Sequence, residues 1–356
     1  MSDIADLSKG IGISKDQLSA DGEPCILYGE LYTKYKSETI KEVISKTNID
    51  NTKLVKSKAN DVIIPCSGET AEEIATARCV LKDDVLLGGD LNIIRLHGYD
   101  GSFMSYQLNG KRKYDIAKVA QGVSVVHLYG EHLKNIKTFN PSLNEQKKIA
   151  NLLSLLDERI STQNKIIEDL KKLKSAISDR LFKNIKGDVI TLSEICDIVK
   201  GKQINGEYLT ESGEYYVMNG GTEPSGYYGD YNVDANTISI SEGGNSCGYV
   251  QFNTSPFWSG GHCYSIQNIA DHVDNLYLYH YLKSNEEVIM RLRIGSGLPN
   301  IQKTDLTMFK IKVPTFEQQI TISTFLSSLE RKAEIEERIQ NVILKQKLYL
   351  LQQMFI

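Results

Sequence analysis

The 356-residue chain has no basic excess, no Cys-x-x-Cys pair and no apolar run long enough to cross a bilayer. Each absence removes a class of protein. A membrane-spanning helix needs about 20 consecutive apolar residues, so an integral membrane protein is excluded and no membrane partner is expected. The opening Met1-Ser2-Asp3-Ile4-Ala5-Asp6 places acids where a secretory signal has basic residues followed by an apolar stretch, so a cytoplasmic location is expected. In that reducing compartment the six scattered cysteines, Cys25, Cys66, Cys79, Cys196, Cys247 and Cys263, read as buried thiols. Cys247, His262 and Cys263 are poorly spaced for a closed tetrahedral zinc site, and no metal ligand is assigned. The formal net charge of −4 is the opposite of the basic excess with which a free-standing nucleic-acid binder neutralises phosphates. Any such binding here has to borrow positive charge from a partner.

What the chain does have is an internal repeat. With a shift of 173 positions and no gap, residues 141–183 match residues 314–356. Pro141, Gln146, Ile149, Leu153, Ser154, Leu156, Ile166, Lys172, Lys174 and Phe182 meet Pro314, Gln319, Ile322, Leu326, Ser327, Leu329, Ile339, Lys345, Lys347 and Phe355. Proline opens each copy, and neither Pro nor Gly follows, which gives each helix a defined start and an unbroken interior. Apolar residues at Ile149, Leu153, Leu156, Ile160, Ile167, Leu170, Ile177 and Leu181 recur every three or four positions. Ile322, Leu326, Leu329, Ala333, Ile339, Ile343, Leu350 and Met354 repeat the stripe. Helices of about 40 residues are about 60 Å long and cannot bury such a stripe alone. They are expected to pack on each other as a coiled coil, antiparallel because a whole domain separates them.

The flanking segments repeat as well. Ala120-Gln121-Gly122 and Gly295-Ser296-Gly297-Leu298-Pro299-Asn300-Ile301 stand at similar distances before their prolines, and Asp100 to Leu108 parallels Asn275 to Leu282 as a short aromatic-rich helix. Strands are expected at Pro24 to Leu31, Asp61 to Pro65, Val85 to Leu96 and Ser124 to Tyr129, then at Tyr215 to Met218, Thr237 to Ser241, Tyr249 to Phe252, His262 to Gln267 and Phe309 to Val313. The fold class is therefore α+β: two mixed α/β domains in pseudo-twofold arrangement, separated by two long helices forming an antiparallel coiled coil. The expected bounds are 1–140 and 187–313 for the domains, and 141–186 and 314–356 for the helices.

Charge and aromatics are unevenly placed. Residues 191–313 hold 8 Lys and Arg against 14 Asp and Glu, whereas residues 141–183 hold 9 against 6, so the helix and not the second domain carries the basic excess. Eleven of the nineteen tyrosines lie between Tyr208 and Tyr281, where exposed ones can both stack and hydrogen-bond. In an acidic domain, reading of base edges needs local donors, for which Lys200, Lys202, Arg291 and Arg293 are available against the plainer reading of a solvated charged face.

The run Pro141-Ser142-Leu143-Asn144-Glu145-Gln146, continued by Ile149 and Leu153-Ser154-Leu155-Leu156-Asp157, resembles the conserved helix of type I restriction-modification specificity subunits, and its second copy has Glu330 in place of Asp157. Gly201-Lys202, Pro256-Phe257-Trp258 and Gly295-Ser296-Gly297-Leu298-Pro299 are similar to that family's target-recognition domains. The resemblance covers effectively the whole chain. It implies a non-catalytic subunit that binds double-stranded DNA, joins two DNA adenine methyltransferase subunits and is later joined by restriction subunits. Each recognition domain would read one half of a bipartite site, with the paired helices fixing the unread spacer. S-adenosylmethionine, ATP and magnesium are then expected only in the partner subunits, with no cofactor in this chain. The first domain departs from the family in starting almost directly at Met1, so its opening strand is expected to be trimmed or supplied differently.

No catalytic residue is assigned. A self-contained methyltransferase needs Asn/Asp-Pro-Pro-aromatic, and Asn140-Pro141-Ser142-Leu143 lacks the second proline and the aromatic. Glu242-Gly243-Gly244-Asn245-Ser246-Cys247-Gly248 lacks the lysine and Ser/Thr of a phosphate-cradling loop and reads as a turn. His127 and His262 have no acid or nucleophile at a motif spacing and read as structural or DNA-facing. Candidate DNA contacts, chosen for donor or stacking capacity beside glycine-rich turns, are Lys15, Tyr32, Lys34, Tyr35, Lys36, Ser67, Thr70, Asp90 and Ser124 in the first domain. In the second they are Lys202, Asn219, Thr222, Tyr227, Asn245, Ser246, Trp258, Ser259, His262, Arg293, Ser296 and Asn300. The competing function is a coiled-coil scaffold with β-rich heads that bind protein or glycan, which would show no salt-dependent affinity for duplex DNA.

Overall fold

The structure, a computed structural model, describes residues 1–122, 125–295 and 297–355. The first long helix runs Leu143–Asn184 and the second Phe316–Gln353. The chain divides into two compact units, Met1–Lys165 with Glu337–Ile356, and Ile166–Glu336. Each unit thus holds one β-rich domain, half of its own long helix and half of the other. The first unit takes the start of the first helix and the end of the second, and the second unit takes the remaining halves. Within each unit the two helix segments therefore run antiparallel.

The same devices join helix to domain in both units. Ser142, just before the first helix, exchanges hydrogen bonds with Glu145, whose Oε2 accepts from the Ser142 amide at 3.1 Å and hydroxyl at 2.7 Å. One turn in, Gln146 and its repeat partner Gln319 are 1% and 0% exposed. Gln146 accepts from the Asp100 amide at 2.9 Å and donates to the Pro141 carbonyl at 2.8 Å. Gln319 accepts from the Asp274 amide at 2.8 Å and donates to the Pro314 and His272 carbonyls at 2.9 and 3.0 Å. Asp100 and Asp274 cap the short helices Gly101–Asn109 and Asn275–Ser284 by accepting from the Phe103 and Tyr277 amides at 2.8 and 2.7 Å. The third residue after each cap then meets an aromatic from the end of a long helix, Phe103 on Phe355 at 5.3 Å and Tyr277 on Phe182 at 5.8 Å between ring centroids. Replacing Gln319 by alanine leaves one buried N–H and two carbonyls unpaired. The expected cost is about 3 kcal/mol in urea unfolding, against a few tenths for an exposed position of the same helix.

Of the predicted seam, Leu153, Ile167, Leu326 and Ile343 are buried, and Ile149, Leu156, Ile160, Leu170, Ile177, Leu181, Ile322, Leu329, Ala333, Leu350 and Met354 are half-buried. Ile339 is a correction, since it is turned outward at 37% exposure. The first unit's seam is polar nearby: Gln163 is 6% exposed, and the Gln340 amide hydrogen-bonds Asn164. Each unit also has a cross-helix ion pair at corresponding positions. Lys347 meets Asp157 at 2.5 Å and Glu38 at 2.6 Å in the first, and Lys174 meets Glu330 at 2.7 Å in the second. A tyrosine of the short helix donates to the acid in both, Tyr106 to Asp157 at 2.7 Å and Tyr279 to Glu330 at 3.2 Å.

Six residues past its cap the first short helix has Tyr106, and the second has His280. His280 is 2% exposed, with Nε2 2.9 Å from the Ser327 hydroxyl, and burial pushes its pKa down to about 4. The unfolded chain takes up this proton near pH 6.5 and the folded one only near 4. Stability is therefore full above about pH 6.5 and falls as the pH drops toward 4, by about 3 kcal/mol over the window. His280→Gln is expected to flatten that part of the profile of Tm between pH 7 and 4, and an unchanged slope would refute the assignment.

The first domain is built on two five-stranded sheets. One orders Ala5–Lys9, Leu91–Leu96, Asp61–Pro65, Arg78–Val80 and Thr39–Ile40; the other orders Leu18–Ser19, Ser45–Thr47, Glu23–Ile26, Leu86–Leu87 and Val55–Lys56. Three expectations are corrected here. The run from Val85 to Leu96 is not one strand, because Asp90 adopts φ 58° and the chain passes from one sheet to the other at Gly88-Gly89-Asp90. The strand beginning near Pro24 ends at Ile26, since the Glu30 carboxylate accepts from the Leu27 amide at 3.0 Å and the short helix Glu30–Thr33 follows. An opening strand is present, with Ala5–Lys9 paired antiparallel to Leu91–Leu96 through five residue pairs.

The second domain has a four-stranded sheet in the order Asp197–Lys200, Cys263–Gln267, Thr237–Ser241, Val250–Asn253, and a three-stranded one of Tyr227–Tyr228, Tyr215–Met218 and Phe257–Ser259. Asp188–Thr191 pairs with Lys310–Val313 and closes the domain where the helices leave it. Among the described residues no helix is long and apolar enough to cross a membrane.

Candidate nucleic-acid interface

In the first domain a cleft of about 850 Å³ gathers Lys15, Tyr32, Lys34 and Asp90 beside Gly12, Gly29 and Gly89. At such a rim lysine and tyrosine supply donors and a stacking face. Lys34 is tied down, however, by Glu30 at 2.6 Å and the Ser45 hydroxyl at 2.8 Å. Tyr35 is a correction: at 7% exposure it belongs to the core, its hydroxyl accepting from the Ile44 amide at 3.2 Å. Lys36 is exposed outside this cleft. Ser67 lies half-buried in the pairing of Ser67–Gly68 with Val126–His127, and Thr70 caps a short helix by accepting from the Glu73 amide at 3.2 Å. Ser124 falls outside the described residues. Sequence reasoning missed Lys9, whose ammonium lies 5.7 Å from the centre of the Tyr129 ring.

The second domain concentrates its candidates on one loop edge. The Asn219 side chain accepts from the His262 amide at 3.0 Å, the Ser246 hydroxyl donates to the Gly220 carbonyl at 2.7 Å, and Asn300 is bridged to Gly243. Lys202 and Trp258 adjoin them, the indole donating to the Lys202 carbonyl at 2.9 Å while its ring packs edge-on against Tyr228 at 5.2 Å. Asn245 is exposed on the same loop as Ser246, and Thr222 is exposed just beyond Gly220-Gly221. Arg293 is exposed immediately before the bridged Ile294. Tyr227 is half-buried in its strand opposite Tyr216 and does not join the edge. Ser259 is a correction, because it is 1% exposed with its amide bound to Asn232 at 2.6 Å. Ser296 falls outside the described residues.

At the centre of this edge stands Glu242, which sequence reasoning passed over as part of a turn. It is 7% exposed, and its carboxylate takes Lys200 at 2.6 Å, the Tyr264 hydroxyl at 3.0 Å and His262 Nδ1 at 3.5 Å. One buried acid thus positions Lys200 and an exposed histidine on a glycine-rich rim of an otherwise acidic domain. It also supplies His262 with the acid that spacing along the chain had hidden. The signal was there in retrospect, since Glu242 directly follows the alternating strand Thr237–Ser241 at the point where the next residue turns inward.

Nothing in these edges marks a nucleophile. All six cysteines are buried, and burial raises the thiols of Cys25, Cys66 and Cys263 to about 11 and those of Cys79 and Cys196 to about 12. Such thiols stay protonated and inert at neutral pH. Among the described residues no group of three or more His, Cys, Asp or Glu is placed to hold a metal ion.

The sequence matches the family profile of the type I restriction modification DNA specificity domain twice, over residues 1–172 and 184–345. It is similar to the MjaVIII specificity subunit of Methanocaldococcus jannaschii, at 25% identity over 385 residues, 97% of this chain and 89% of the relative. It is also similar to a type I specificity subunit of Mycoplasma genitalium, at 32% identity over 165 residues, which is 44% of this chain and only 43% of that relative. In fold it is similar to the crystal structure of the S subunit of a type I restriction-modification system from M. genitalium, with a TM-score of 0.72, 21% identity and coverage of 100% of this chain and 94% of that one. With two profile matches spanning both domains and both helices, the chain belongs to the type I restriction-modification specificity-subunit family.

Proposed function

We propose that this chain is the DNA-reading subunit of a type I restriction-modification complex, one domain reading each half of a bipartite duplex site. The observation that carries this reading is duplication in depth. Both units repeat the same buried glutamine, aspartate cap, aromatic contact and cross-helix ion pair, while the loops of their domains differ. Repeated mechanics with divergent loops suits two heads that are built alike and read different sequences.

The helices also supply a docking face for two methyltransferase subunits. Leu152, Leu155 and Leu173 on the first helix and Phe325, Ile335, Val342 and Tyr349 on the second are 44 to 65% exposed. At 100° per residue each set falls on one side of its helix. Apolar stripes of that kind are covered most readily by further amphipathic helices, which would also bring the positive charge that a chain of net charge −4 lacks. Restriction subunits would join afterwards. S-adenosylmethionine, ATP and magnesium belong, in this reading, to those partners, and the chain itself performs no catalysis.

The deciding experiment is co-expression with the cognate methyltransferase subunit, followed by mapping of methylated adenines. The expected result is one split motif with an adenine in each half, and duplex binding by the assembled complex that weakens steeply with salt. An unmethylated genome together with absent duplex binding would point instead to a protein- or glycan-binding scaffold.

A further inference from the structure

Both heads carry a bridged loop at the same offset of 173 residues. An antiparallel bridge joins Gln121 to His127 in the first unit and Ile294 to Asn300 in the second. Just inside each bridge, Gly122 at φ 129° and Gly295 at φ 95° take backbone conformations that favour glycine. A Cβ on Gly122 would lie 2.0 Å from the Val125 carbonyl oxygen. The residue just past each bridge, Leu128 or Ile301, is fully buried. The corresponding residues inside it are the reverse, with Val125 51% and Leu298 86% exposed. An aliphatic side chain held in water contributes nothing to folding, and here it recurs at matching positions of two otherwise divergent domains.

The surroundings of the two loops point to one occupant. In the second unit the Gly244 amide donates to the Pro299 carbonyl at 3.0 Å, and the Ile301 amide donates to the carbonyl of Glu242 at 2.9 Å. Leu298 therefore emerges from the edge that presents Lys200 and His262. In the first unit Val126–His127 pairs with Ser67–Gly68, and Lys9 lies over nearby Tyr129. An apolar tip on an edge that also carries hydrogen-bond donors and cations matches the stacked interior and phosphate rim of a nucleic-acid duplex.

We propose that Val125 and Leu298 are apolar wedges that enter the duplex at the target adenine of each half-site, filling the stack when that base is turned out for methylation; the proposal rests on the DNA-reading function above. A methyltransferase reaches an adenine only after unpairing and unstacking it, and an apolar group that occupies the vacated space stabilises the opened state.

The test uses the assembled complex with its methyltransferase subunits and duplexes carrying 2-aminopurine at one target adenine. The native complex should raise the fluorescence of the probe in either half. Leu298→Ser should abolish the rise and slow methylation by about tenfold or more in one half only, and Val125→Ser should do so in the other half. Leu298→Met, which keeps an apolar side chain, should restore both readouts, and a mismatch at the target, where the base is already unpaired, should rescue Leu298→Ser. Unchanged fluorescence and rate in an intact Leu298→Ser complex would overturn the proposal. So would loss of the methyltransferase subunit from that complex, which would make Leu298 a protein-docking residue. If the native complex neither binds duplex nor methylates a split site, the DNA-reading function itself fails and takes the wedge with it.

Discussion

Lys347→Met is expected to destabilise the first unit by about 3–5 kcal/mol, the range seen when one partner of a buried ion pair is removed. Lys347 faces two acids, with only 10% of its side chain and 8 to 9% of theirs exposed. Taking away the ammonium leaves both carboxylates desolvated with their ion-pair partner gone and only the charge of buried Arg78 to oppose theirs. Lys174→Met should cost less, because its pair with Glu330 is 22% and 33% exposed and water can take over part of the loss. Burial already raises the Glu38 pKa above its ordinary value, with Lys347 opposing the rise. A carboxylate whose folded pKa is raised weakens the fold as pH climbs through that value, and it costs nothing once protonated. The defect of Lys347→Met should therefore be largest in urea unfolding at pH 8 and shrink at pH 5, and Glu38→Gln added to it should recover part of the loss. Equal costs for the two lysine variants at pH 8 would show that burial of this pair is not what matters.

The largest functional effect is expected from lengthening both rods. Seven residues inserted between Lys165 and Ile166, and seven between Arg338 and Ile339, preserve the two-turn apolar period and add about 10 Å of helix to each. That length corresponds to about 3 base pairs of duplex. Mapping of methylated adenines should return the same two half-sites with the unread spacer longer by about that number. An insertion of two residues in each helix rotates the following stripe by about 200° and should instead break the seam and abolish methylation. A lengthened, folded protein that still methylates the original spacing would remove the helices from the measuring role.

Much of this was legible in the letters because it depends on periodicity and on repetition. The proline starts, the stripes from Ile149 to Leu181 and from Ile322 to Met354, and the aromatic helices were all local patterns, and the structure has the two helices and two sheet-bearing domains that they implied. Strands with alternating or continuous apolar residues, such as Asp61–Pro65 and Thr237–Ser241, were read at the right bounds. The run through Gly88-Gly89-Asp90 was misread, because a positive φ at a non-glycine residue leaves no periodic trace.

The interface was less legible, and for a different reason. Lys34, Tyr35 and Ser259 carry the right chemical groups, yet Glu30, the core around Tyr35 and the buried Cys263 carbonyl claim them. Conversely Glu242 looked like part of a turn until distant residues Lys200, His262 and Tyr264 converged on it.

By itself the sequence determined that this protein has two copies of one plan and where each rod begins, since helix periodicity, proline placement and a gapless repeat are properties of neighbouring residues. Only the tertiary structure decided which polar side chains are free to meet another molecule. That depends on partners far away in the chain, and a buried charge such as Lys347 or Glu242 is stable only where folding has brought its counter-charge within hydrogen-bond reach.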